Sequence, residues 1–132
     1  MAALDALEVQ PVAKAEPAPA PIPGPYVVFF DFDKAELTDQ AKVVLANAAR
    51  DADSAKIMRV FTSGHTDRAG AATYNDALAK MRVEAVAKYL ITSGIDKGKL
   101  LTADYGENRP QVATPDGQVE PKNRRVEISF GR

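Results

Sequence analysis

The side chains that could do chemistry crowd into one stretch of this sequence. His65 is the single histidine, with Ser63 two residues before it and Asp67 two residues after. A hydrolytic triad would need the imidazole as its base, beside a nucleophile on a sharp turn and an oxyanion hole. Ser63 and His65 instead fall on a run that reads as a strand, where residues two apart point the same way. No Gly-x-Ser-x-Gly elbow surrounds the serine. His65 therefore reads as a structural histidine at a strand end, and no catalytic residue is assigned. A lone histidine among scattered carboxylates lacks metal-ligand spacing, there is no cysteine, and Gly64 and Gly70 fit no phosphate loop. No metal or other cofactor is expected.

What remains is a charged pair. Asp67 follows the strand, and Arg82 lies within the next helical run. Helical side chains lean toward the helix N-terminus, so the guanidinium could reach back to the strand end. A carboxylate and a guanidinium flanking a pocket would suit a zwitterion, one taking an ammonium and the other a carboxylate bidentately. A plain structural ion pair is the other reading, and spacing alone favours it.

Composition narrows the partners. The 132 residues carry 17 Lys and Arg against 18 Asp and Glu, so no positive field exists to gather nucleic acid. The opening Met1–Glu8 has neither the basic start nor the apolar core of a secretion signal, and no apolar run approaches the ~20 residues of a membrane span. Residues 1–25 alternate proline with alanine, as at Pro17, Pro19, Pro21, Pro23 and Pro25. Such a stretch favours an extended, semi-rigid spacer. It reads either as an inert tail or as a spacer holding a domain, residues 26–132, away from something upstream.

The elements that would position Asp67 and Arg82 follow from periodicity. Val27–Phe32 reads as a strand buried on both faces near its middle. Thr38 is a good N-cap for a helix running to about Ala52 or Asp53, with Ala41, Val44, Leu45, Ala48 and Ala52 on one face. Ile57–Ser63 is a second strand, ending at Gly64-His65-Thr66-Asp67. A second helix spans about Thr73 to Thr92, with Leu78, Met81, Ala85, Val86, Tyr89 and Leu90 inward, and stops at Gly94. Asp96 caps a short turn before a third strand, Leu100–Tyr105. Residues 107–123 read as a loop, and Arg125–Phe130 as a half-buried last strand. The order β-α-β-α-β-β predicts an α/β (α+β) two-layer sandwich, with two helices on one face of a mixed four-stranded sheet.

Five blocks in this order resemble the OmpA-like family: Phe30-Asp31-Phe32-Asp33, Gly64-His65-Thr66-Asp67 with Gly70, Asn75 through Leu78 to Arg82, Tyr105–Pro110, and Asn123–Glu127. The likeness spans about residues 26–131. Two positions depart from the family pattern: Ala79 stands for its serine, and Val83 for its alanine. The resemblance implies a non-catalytic domain that binds peptidoglycan through the meso-diaminopimelate of uncrosslinked stem peptides, in the periplasm of a Gram-negative cell, tethering the outer membrane to the wall. It implies that Asp67 receives the ammonium and Arg82 the carboxylate. Phe32, Asp33, Thr66, Asn75 and Leu78 would complete the pocket, while Arg124 and Arg125 read as strand-end ion-pair residues. An outer-membrane barrel or other anchor would lie upstream. The alternatives are the same domain in a lipoprotein or a flagellar-stator protein, or a scaffold for periplasmic protein partners. On this reading, Ala at position 67 or 82 would abolish wall binding and leave the fold intact.

Overall fold

The computed structural model describes residues 21–115 and 117–131. The expected spacer over residues 1–25 thus lies, for residues 1–20, outside the described residues. The observed elements are β1 (Tyr26–Phe29), α1 (Asp39–Ser54), β2 (Arg59–His65), α2 (Ala72–Thr92), β3 (Leu100–Gly106) and β4 (Arg125–Gly131). The strands form one sheet in the order β1-β4-β2-β3. β2 and β3 run parallel, and β4 pairs antiparallel with both β1 and β2, so the sheet is mixed. The predicted architecture is the one found.

The local chemistry behind each element is visible. Thr38 holds an extended backbone, and its hydroxyl accepts from the Ala41 amide at 3.0 Å, capping α1. Ala41, Leu45, Ala48, Ala49 and Ala52 form the buried face of α1. Four alanines there let the helix lie close to the sheet. Gly94 takes up the left-handed backbone just past α2, and Asp96 caps the short turn before β3, as the sequence predicts. The core joins Leu45, Val60, Val86, Leu90, Val126 and Ile128, all at most 1% exposed. Each such side chain contributes roughly 1.5–3 kcal/mol of burial.

Two expectations change. β1 ends at Phe29 and is an edge strand of a sheet covered on one side, so only Val28 and Phe30 enter the core while Phe29 and Phe32 are exposed. It is not buried on both faces. Met81, expected inward on α2, is 45% exposed. Arg82 points inward instead, with Ala79 and Val83, and at ~100° per residue this turns Met81 to solvent. Ala85 and Tyr89 are half-buried at the edge of that face.

Gly64 explains how α2 sits. A side-chain carbon on it would lie 2.5 Å from both the Ala79 carbonyl oxygen and a Val83 methyl. The helix backbone therefore rests directly on the end of β2, bringing Arg82 beside the strand end. Ala79 and Val83, the two departures from the family pattern, belong to this packing seam.

Candidate functional site

At the carboxyl end of β2, where the chain leaves the sheet for α2, a cavity of about 430 Å³ opens. Clefts beyond strand carboxyl ends are where α/β sheets commonly bind ligands. Its lining includes Phe32, Asp33, Asp67, Asn75, Leu78 and Arg82, six of the seven predicted site residues, together with Tyr74 and Arg124. Thr66 is the exception. It is buried, its amide donates to the Gly106 carbonyl at 2.8 Å, and it does not line the cavity.

Asp67 is 4% exposed and accepts three hydrogen bonds. One carboxylate oxygen accepts from the Ala69 amide at 3.2 Å. The other accepts from the Glu120 amide at 3.1 Å and from Nη1 of Arg124 at 3.3 Å. The cation on Asp67 is thus Arg124 rather than Arg82, which corrects the simple ion-pair reading. Arg124, read from sequence as a strand-end residue, reaches into the cavity while its Nε donates to the Phe30 carbonyl at 3.0 Å.

Arg82 has no exposed surface. Its Nε donates to the Lys34 carbonyl at 2.9 Å, Nη1 to the His65 carbonyl at 3.1 Å, and Nη2 to the Asp31 carbonyl at 3.2 Å. The guanidinium also lies over the Phe30 ring, 5.2 Å from its centre. Arginine has five N–H donors, so two remain after these three bonds. Burial lowers its pKa to about 10, while the neighbouring Asp67 carboxylate works the other way. It remains a cation at neutral pH. Removing it would strip three carbonyls of their donor, so the expectation that Ala at position 82 leaves the fold intact is not supported by this geometry.

The remaining lining residues hold loops. Nδ2 of buried Asn75 lies within 3.0–3.2 Å of the Asp67 and Ala69 carbonyls and the Glu107 carboxylate, tying the loop after β2 to the first turn of α2. Asp33, at a left-handed φ of 57°, accepts from the Tyr74 hydroxyl across the mouth of the cavity. Phe32 is 53% exposed at the same rim. Asp33 and Asp67 balance Arg82 and Arg124 in charge, which favours a ligand of no net charge.

The segment expected as a plain loop over 107–123 packs, in its described residues, against the loop that carries Asp67. Gly117 donates to the Arg68 carbonyl at 2.8 Å, and buried Asn123 bonds Val112 in both directions at 2.7–2.8 Å. Periodicity could not find Glu120 and Arg124, because their contribution depends on a chain reversal with no repeating pattern. The Asn123-Arg124-Arg125 block was the one signal available.

The OmpA family matches residues 29–124, which hold β2, β3, both helices and every residue lining the cavity. This chain belongs to the OmpA family. It is similar to a peptidoglycan-associated lipoprotein of Haemophilus influenzae, 37% identical over 103 residues, covering 78% of this chain and 67% of the relative. It is also similar to an outer membrane protein of Gluconacetobacter diazotrophicus, 37% identical, covering 83% of this chain and 31% of that protein. Among solved structures, the peptidoglycan-associated lipoprotein from Burkholderia pseudomallei superposes with a TM-score of 0.73 at 28% identity, over 80% of this chain and 90% of that one. The cell wall anchor of the T6SS from Pseudomonas aeruginosa gives 0.63 at 27% identity, over 79% of this chain and 76% of that one. The chain spans about a third to two thirds of the length of these curated relatives.

Other features of this OmpA-family chain lie apart from the cavity. His65 is 3% exposed, accepts or donates at Ser63 Oγ over 3.1 Å, and stacks on Tyr105 at 5.5 Å. Burial, with help from Arg125, lowers its pKa to about 4. The described residues contain no group of three or more His, Cys, Asp and Glu placed to hold a metal. No helix among them is long and apolar enough to cross a membrane.

Proposed function

We propose that this chain binds peptidoglycan non-covalently and serves as a cell-wall tether on the periplasmic side of the outer membrane. The observation that carries the reading is the cavity whose floor presents a carboxylate, Asp67, and a guanidinium, Arg82, in a site of balanced charge. The ligand is the distal centre of meso-diaminopimelate in an uncrosslinked stem peptide, which bears an ammonium and a carboxylate on one carbon. Asp67 takes the ammonium and the two remaining donors of Arg82 take the carboxylate. Arg82 lies below the reach of water, so its neighbours must yield slightly as the carboxylate arrives. Phe32, Asp33, Asn75 and Leu78 shape the walls, and Thr66 supports the loop from beneath.

The relatives named for association with peptidoglycan, and the cell-wall anchor among the solved structures, support this reading. Residues 1–25 act as the spacer to an upstream membrane anchor. The discriminating measurement is calorimetric titration of the 132-residue chain with a diaminopimelate stem peptide and with its lysine analogue, which keeps the ammonium and lacks the carboxylate. Binding of the first alone is expected. Equal binding of both would remove Arg82 from the ligand set, and binding of neither would turn attention to protein partners.

A further inference from the structure

A second hollow of about 310 Å³ adjoins the cavity, and Arg124 lines both. Its lining adds Lys122, the exposed ring of Phe29, Thr38 and Gln40 at the start of α1, and Asp31, so Lys122 and Arg124 against Asp31 leave one net positive charge. Lys122 is solvent-exposed, and its ammonium has no ion-pair partner among the described residues. Arg124 is different: its side chain is only 13% exposed, and its one ion-pair partner among the described residues is Asp67. If a ligand ammonium takes Asp67 Oδ2, Arg124 loses its counter-ion in a largely buried position. A desolvated charge left without a partner costs heavily, so binding is unfavourable unless a new anion reaches the guanidinium.

We propose that the hollow between Phe29 and Lys122 is a second subsite, for a carboxylate one residue away from the ligand's zwitterionic end. As the ammonium settles on Asp67, Arg124 exchanges Asp67 for this second carboxylate, with Lys122 as its other cation. The inference rests on the wall-peptide reading above. In a stem peptide, the residue before diaminopimelate is a glutamate joined through its side chain, which leaves its α-carboxylate free. That group has the charge that Arg124 and Lys122 ask for.

The test uses the 132-residue chain and three tripeptides: Ala–isoglutamate–diaminopimelate, the same peptide with the glutamate α-carboxylate amidated, and the acid peptide with lysine in place of diaminopimelate. Titration should show the amidated peptide binding roughly three- to tenfold more weakly than the acid, the range of one charge-assisted contact. In Lys122→Gln the acid peptide should weaken, and amidation should then cost distinctly less than in the parent chain. Equal affinities for acid and amide in the parent chain would overturn the subsite. If none of the three binds, the wall-peptide reading itself has failed, and the subsite with it.

Discussion

At Arg82 burial and charge pull in opposite directions, and three carbonyls from separate segments settle the conflict by surrounding the guanidinium. Arg82→Ala should therefore cost about 3–5 kcal/mol, as when a buried charged group is removed from its partners. Asp67→Asn keeps an acceptor of the same shape but takes the counter-ion from Arg124, so it should cost some stability too and lose wall binding. Denaturant unfolding beside pull-down on purified sacculi separates the two effects; an Arg82→Ala domain as stable as its parent would contradict the bracing role. His65 gives a second prediction. Its folded pKa of about 4 lies below the ordinary value near 6.5, so the fold holds the neutral ring. This contribution is complete above pH 6.5 and is lost as pH falls toward 4, at roughly 1.4 kcal/mol per unit and about 3 kcal/mol in all. Thermal unfolding across that window should fall more steeply for the parent than for His65→Gln, and parallel slopes would show that folding leaves the ring's proton affinity unchanged. Both pairing residues of the cavity were legible in sequence, but their partners were not. Asp67 and Arg82 stand in a motif, whereas the Arg124 contact depends on where a 17-residue loop returns.

The elements succeed where sequence chemistry is local and fail where neighbours decide. The Thr38 cap and the Gly94 stop each follow from a few adjacent residues. The burial of β1 and the rotation of α2 follow from the sheet's covered side, which no window of sequence contains. Arg82 inside and Met81 outside invert ordinary polarity, and the inversion marks the site. Gly64 carries the closest contact between two elements. Gly64→Ala should push α2 off the sheet end and lower stability by roughly 1–3 kcal/mol, the usual range for overpacking. That corresponds to about 4–8 °C in unfolding temperature per kcal/mol for a domain of this size. Gly98 has ordinary φ and no close neighbour beyond an Asp96 oxygen at 3.5 Å, so Gly98→Ala is the matched control. Similar melting curves for the two variants would mean the helix yields freely at that seam.

For the whole molecule, the proposed division into spacer and domain predicts that a chain beginning at residue 21 melts within about 4 °C of the parent, since changes outside a packed domain rarely exceed about 0.5 kcal/mol. A larger fall would show that residues 1–20 pack on the domain. The strand order has a further effect, on the timing of assembly. β4, last in sequence, sits between β1 and β2, so neither has its shared neighbour until residues 125–131 exist. The cavity waits on the residue just before that segment, because Arg124, which lines it, bonds to Phe30 94 residues away. Contacts of such separation form slowly and leave the growing polypeptide without a stable partial fold. A ribosome-held chain ending at residue 120 should be cut readily by protease, and one released past residue 131 should resist. The domain would then stay an open thread until its last strand has been made.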